Sequence, residues 1–175
     1  MIEFLKDPKF DVKDPLGRPG QDAGIDLFCP SYNEHFAKVF EEENGGQTLE
    51  NSPDGWLIRI PPHSDVLINS GLYTKFPSNI ALIGFNKSGV ATKQKLVVGA
   101  CVDDTSYQGL LHLHVINTSN EHQEIYCGNK VVQWVPVLID NSGFEVIDGN
   151  KVSKDKFFGE KSARGSGGFG STGLK

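Results

Sequence analysis

Apolar positions in this chain come in short runs, and the clearest alternates strictly. Leu111, Leu113 and Val115 interleave with His112, His114 and Ile116, the two-residue period of a strand. Trp56–Ile60 and Asp65–Ile68 flank a turn at Pro61-Pro62-His63. Ile80–Phe85 follows Pro77-Ser78-Asn79, and Val131–Leu138 forms a further run. Turn residues recur roughly every ten residues between these segments, the spacing of an all-β barrel or sandwich. One helix is predicted over Ser88–Leu96, with Ser88 as its N-cap. Residues 31–55 break the pattern: they are polar, acidic and glycine-punctuated, and read as a surface excursion with a short helix around Glu34–Glu43. Residues 159–175 are Gly/Ser-rich and read as a flexible arm.

Composition narrows the function classes. The chain has 175 residues, the size of one domain. Its 17 Lys+Arg against 22 Asp+Glu leave a net charge of −5, which argues against a sequence-independent nucleic-acid binder. No apolar stretch reaches a membrane span of about 20 residues, and the start has no apolar core of a signal peptide. Cys29, Cys101 and Cys127 are odd in number and widely spaced. That fits a reducing compartment, a cytoplasmic (or nuclear or host-cytoplasmic) protein that is not secreted. Glycine is the outlier: 20 residues, with five between Gly165 and Gly173. A solvated tail has no need of the Phe169 set among them, with Arg164, Ser171 and Thr172 alongside.

Three clusters carry candidate chemistry. In Gly99–Gly109, Asp103 and Asp104 are adjacent carboxylates before a strand. This is ordinary turn composition, or a hairpin presenting one general base. Neighbours on a strand point to opposite faces, so only one of the two can face a given pocket. In Phe85–Ala91, Lys87, Ser88 and backbone N–H groups form either a small anion site or a capped helix with a solvated lysine. In Gly128–Trp134, Gln133 lies within an apolar strand. His112 and His114 share a face but lack a third ligand at recognisable spacing, which favours structural or interface roles.

Read in order, Ala23–Leu27, Lys87–Ala91, Gly99–Gly109, Gly128–Trp134 and Arg164–Gly173 resemble the five motifs of the homotrimeric dUTP diphosphatases (dUTPases). The resemblance implies a jelly-roll-like β-barrel of residues 1–158 and a C-terminal arm, 159–175, that closes a neighbouring subunit's site in a homotrimer. It implies hydrolysis of dUTP to dUMP and pyrophosphate, with Mg2+ held mainly by the substrate phosphates. Asp104, three residues before Tyr107, takes the role of the base that activates water. Tyr107 packs under the deoxyribose. The backbone around Cys101, Val102, Asp103 and Asp104 pairs with the uracil edge. Lys87, Ser88, Gly89 and Gln133 lie at the phosphates, and Asp26 supports the site. Phe169 stacks on the uracil, while Arg164, Gly170, Ser171 and Thr172 belong to the arm that binds the γ-phosphate.

The chain departs from the family pattern in places. Lys87 stands where Arg is usual, which keeps the charge but loses the bidentate fork. Cys101 replaces a glycine, Asp103 an aliphatic residue, and Asn129-Lys130 an acid followed by Arg. The related dCTP deaminases share the fold, but their catalytic glutamate falls at His114. A regulatory binding protein on the same fold is the other alternative, with residues 31–55 as an added surface for a protein partner.

Overall fold

The strand alternation organises the molecule. The computed structural model describes residues 1–140 and 142–160. In it β10 (His112–Asn117) buries Leu113 and Val115 and turns His112, His114 and Ile116 to a half-buried face. It pairs antiparallel with β5 (Asp65–Asn69) and β8 (Leu96–Val98). A second sheet is ordered β11 (Gln123–Tyr126), β4 (Gly55–Ile60), β3 (Glu50–Ser52). A third runs β2 (Ile25–Phe28), β12 (Lys130–Leu138), β7 (Ile80–Asn86), β9 (Val102–Asp103). β1 (Glu3–Lys6) pairs with β6 (Leu72–Lys75). All pairings are antiparallel, as hairpin-length connections favour. Leu57, Ile58, Ile60, Val66, Ile68, Leu82 and Leu113 are almost completely buried. The inward residues of β4, β5, β7 and β10 therefore build the core.

Three helices occur among the described residues, two of them where the sequence predicts helix. α1 (Glu34–Glu43) lies where the excursion was expected to form a helix. Asn33 caps it, its side chain accepting from the Phe36 amide at 2.7 Å. Phe36 and Phe40, one turn apart, have no exposed surface and join the main core. The excursion is thus a core element and not only a surface addition. α2 (Ser88–Lys93) is shorter than predicted, and Ser88 is its first helical residue. The cap position is Lys87, which makes no side-chain cap bond. Ser88 instead uses its carbonyl, which accepts from Thr92 Oγ1 at 2.7 Å.

Gly71 marks a tight approach near β6. Its φ is +70°, and a Cβ there would lie 2.6 Å from the Phe10 Cβ. The chain divides into two compact units, Met1–Ile139 and Asp140–Lys175. Within the second unit, α3 (Lys154–Phe158) is capped by the Ser153 side chain and ends at Gly159, with φ +71°. No helix among the described residues is long and apolar enough to cross a membrane.

Candidate active site

The first cluster gathers where β2, β12 and the end of β7 meet. In the β-ladder, Gln133 stands opposite Asp26 on one side and Phe85 on the other. This register brings two distant sequence motifs into contact. Lys87, just past the end of β7, hydrogen-bonds Asp26 Oδ1. Lys130, at the start of β12, reaches Asp26 Oδ2 at 2.9 Å. Asp26 is mostly buried, and burial alone would raise its pKa. The hydrogen bonds and charges of Lys87 and Lys130 outweigh that and hold it below its ordinary value.

Two cavities open beside this pair. One, of about 380 Å³, is lined by Arg18, Asp22, Asp26, Lys87, Lys130 and Gln133. The other, of about 580 Å³, includes Lys87, Ser88, Gly89, Lys93 and Gln133. Gln133 Nε2 donates to the Asn86 carbonyl at 3.1 Å, which ties β12 to the start of the α2 loop. The arrangement concentrates ammonium and guanidinium groups where an anion can enter. Arg18 was not foreseen. It is locked to Asp22 through Nη2–Oδ1 at 2.7 Å and Nε–Oδ2 at 3.0 Å, and the pairing lowers the Asp22 pKa to about 2. Its only sequence signal is the i, i+4 spacing of opposite charges.

The hairpin cluster has a separate geometry. β9 is the edge strand of its sheet, so one row of its backbone N–H and C=O groups is left over from sheet pairing. Val102 and Asp103 pair with Ile83 and Leu82, and Cys101 accepts from the Gly84 amide at 2.7 Å. Asp103 is 3% exposed, whereas Asp104 is exposed. The alternation therefore turns Asp103 inward and Asp104 outward. Asp104 and Tyr107 end one tight turn, the Tyr107 amide donating to the Asp104 carbonyl at 2.9 Å. The Tyr107 hydroxyl donates to the Leu110 carbonyl at 3.2 Å, and a Cβ at Gly109 would lie 2.3 Å from that hydroxyl oxygen. Gly109 is therefore required for the tyrosine's position.

His114 holds the other end of the hairpin. Its Nδ1 accepts from the Ala100 amide at 2.8 Å, so Nε2 carries the proton toward Asp65 Oδ2, also at 2.8 Å. A Cβ at Gly99 would lie 2.2 Å from that Nδ1. His112 contacts Glu43 at 3.1 Å and Asn69 at 3.5 Å. A cavity of about 210 Å³ is lined by Val102, Asp103, Asp104, Tyr107 and His114. Asp103 Oδ1 and Trp134 Nε1, which has no described partner either, belong to residues lining it.

The structure thus brings Asp26, Lys87, Ser88, Gly89 and Gln133 together, and Cys101, Val102, Asp103, Asp104 and Tyr107 together. Among the described residues the basic cavities and the hairpin cavity share no lining residue. Arg164, Phe169, Gly170, Ser171 and Thr172 lie outside the described residues.

Residues 57–173 match the dUTPase family model. A deoxyuridine 5'-triphosphate nucleotidohydrolase from Picosynechococcus sp. is 34% identical over 118 residues, 66% of this chain and 77% of the relative. One from Hahella chejuensis is 31% identical over 121 residues, 67% and 74% of the two chains. Among solved structures, the dUTPase of Staphylococcus bacteriophage 80alpha with dUPNHPP superposes with a TM-score of 0.70 at 18% identity, covering 99% of each chain. That likeness speaks to the fold, which is jelly-roll-like.

Proposed function

The chain belongs to the dUTPase family and hydrolyses dUTP, and from that premise we propose how its residues do so. The observation that carries the reading is the division of labour on the sheet. A lysine-rich anion cluster sits around Asp26, and a hairpin presents the outward Asp104 beside Tyr107.

The phosphates bind among Lys87, Ser88, Gly89, Gln133 and Lys130. Asp26 fixes the two lysines by binding both ammonium groups, so their charges meet the substrate pre-positioned. The open edge of β9, from Cys101 to Asp104, pairs with the uracil edge. A backbone donor–acceptor pattern built for uracil leaves cytosine's groups unpaired. Tyr107, braced over Gly109, packs under the deoxyribose and leaves no room for a 2′-hydroxyl.

Asp104 accepts a proton from a water aligned with the α-phosphorus. The water oxygen bonds to that phosphorus as the bond to the bridging oxygen breaks. dUMP and pyrophosphate are the products. His114 and Asp65 hold the hairpin that carries Asp104.

The donor set fits a magnesium ion that arrives on the triphosphate. Both Asp26 oxygens are engaged by lysines, and no group of three metal-ligating side chains occurs among the described residues. Such an ion neutralises charge on the phosphate oxygens.

The separation of the hairpin cavity from the lysine cavities supports a site completed between subunits of a homotrimer. Residues 159–175 act as an arm that closes a neighbouring subunit's site, with Phe169 on the uracil and Arg164, Gly170, Ser171 and Thr172 at the γ-phosphate. Closure excludes water and strengthens each electrostatic contact. Cytoplasmic action fits the three unpaired cysteines among the described residues.

The test is pyrophosphate release from dUTP, dCTP, dTTP and UTP in parallel, with and without magnesium. The reading predicts fast release from dUTP alone and a strong gain with magnesium. Ammonia release from dCTP, or equal rates with all four nucleotides, would overturn it.

A further inference from the structure

The described unit carries a pair of thiols that the nucleotide chemistry does not use. Cys29 follows β2 and Cys127 lies in the turn between β11 and β12. The Cys29 amide donates to the Asn129 carbonyl at 2.9 Å, and the Gly128 amide donates to the Cys29 carbonyl at 2.9 Å. This crossing sets Cys29 against the Cys127–Asn129 turn, with Cys127 packed against the core cluster to which Cys29 belongs. Their surroundings differ sharply. Cys29 is 1% exposed and packs in the core. Cys127 is half-buried and lines an open cavity of about 450 Å³ with Asp54, Trp56, Tyr126 and Asn129. Trp56 is held in place by Tyr32, stacked on it at 3.8 Å. Lys13 Nζ donates to the Gly128 carbonyl at 2.7 Å, which sets a cation beside the Cys127 turn.

The two thiols are therefore chemically unequal. Burial pushes the Cys29 thiol well up, and its contact with Cys127 pushes it further. The neighbouring Cys29 lowers the Cys127 thiol against its own partial burial. A half-buried cysteine that faces an open cavity, with a fully buried cysteine across the same backbone crossing, makes the arrangement of an attacking and a resolving cysteine.

We infer that Cys127 is a modification site for hydrogen peroxide and that Cys29 resolves the product to a Cys29–Cys127 disulfide. The Cys127 thiolate attacks one peroxide oxygen, the O–O bond breaks, and the departing hydroxide takes up a proton to leave as water. Cys127 is then a sulfenic acid. Cys29 Sγ attacks Cys127 Sγ, the S–O bond breaks, and the hydroxide leaves as water with the Cys29 proton. Two thiols are oxidised by two electrons and one peroxide is reduced to two waters. The bond staples the end of β2, three residues past Asp26, to the turn that precedes Lys130 and Gln133.

The test treats the full chain with equimolar hydrogen peroxide, alkylates remaining thiols, and maps peptides by mass spectrometry. The expected result is loss of two alkylatable thiols, a linked Cys29–Cys127 peptide, a free Cys101, and full recovery with dithiothreitol. Quenching of Trp56 fluorescence should follow the same time course. Preferential oxidation of Cys101, sulfinic acid at Cys127 with Cys29 still free, or three unmodified thiols would each overturn the inference. In Cys29→Ser, dimedone should trap a sulfenic acid at Cys127, and an unlabelled Cys127 in folded variant would contradict the order of attack. The map of the unsubstituted protein decides the matter if that variant does not fold.

Discussion

Asp103 is the acid that the interior tolerates least, and its replacement has a calculable effect. It is 3% exposed. Thr74 Oγ1 donates to its Oδ2 at 2.5 Å, while Oδ1 has no partner among the described residues. Burial raises its pKa, the Thr74 bond pulls against that, and the neighbouring Asp104 charge adds to the rise. An acid raised in this way stabilises the fold most below its unfolded pKa, near 3.8. That contribution is lost as pH rises through the folded value. Asp103→Asn keeps the shape and the Thr74 partner but cannot ionise. It should flatten the decline in stability that begins above about pH 4. Asp103→Val removes the acid and the orphan oxygen together. A buried unsatisfied polar group costs roughly 1–3 kcal/mol, and depriving Thr74 of its acceptor returns about 1 kcal/mol of that. The net gain of about 1 kcal/mol corresponds to about 2–4 °C in Tm for a chain of this size. Thermal unfolding followed by near-ultraviolet circular dichroism, at acid and mildly alkaline pH and fixed protein concentration, measures both effects. A wild-type pH slope in Asp103→Asn would refute the reasoning, as would a lower alkaline Tm in Asp103→Val.

Further consequences concern the excursion and the sugar gate. Phe36→Ala should destabilise the fold by about 3–5 kcal/mol, because it empties a fully buried site in the core; a loss under about 1 kcal/mol in urea unfolding would return residues 31–55 to the role of surface decoration. Tyr107→Ala should narrow the ratio of kcat/KM for dUTP over UTP by tenfold or more, on the order of 1–3 kcal/mol of discrimination. An unchanged ratio would remove Tyr107 from the sugar pocket.

Much of this architecture is legible in the chain because period-2 burial writes itself into the sequence. β4, β5, β7, β10 and β12 lie at the predicted runs, and the alternation that separates Asp103 from Asp104 is the one observed. The ladder register sets Gln133 opposite Asp26, and Asp26 bridges two lysines, a contact that motif order alone does not reveal. What escapes is long-range. The pairing of β1 with β6 joins segments about 70 residues apart without a periodic signal in either strand. Phe36 and Phe40 sit in an acidic stretch whose polarity conceals a two-residue apolar stripe. The Cys29–Cys127 contact depends on how the β2 end crosses the β11–β12 turn, which spacing alone does not encode.

The central claim is that Asp104 on the hairpin is the base for hydrolysis. Pyrophosphate release by Asp104→Asn at saturating dUTP and magnesium, with dUTP binding measured by calorimetry on the same preparation, tests it most directly. The account predicts a fall in kcat of about 10²–10⁴-fold with dUTP binding retained. Turnover near the wild-type rate in the asparagine variant would contradict it.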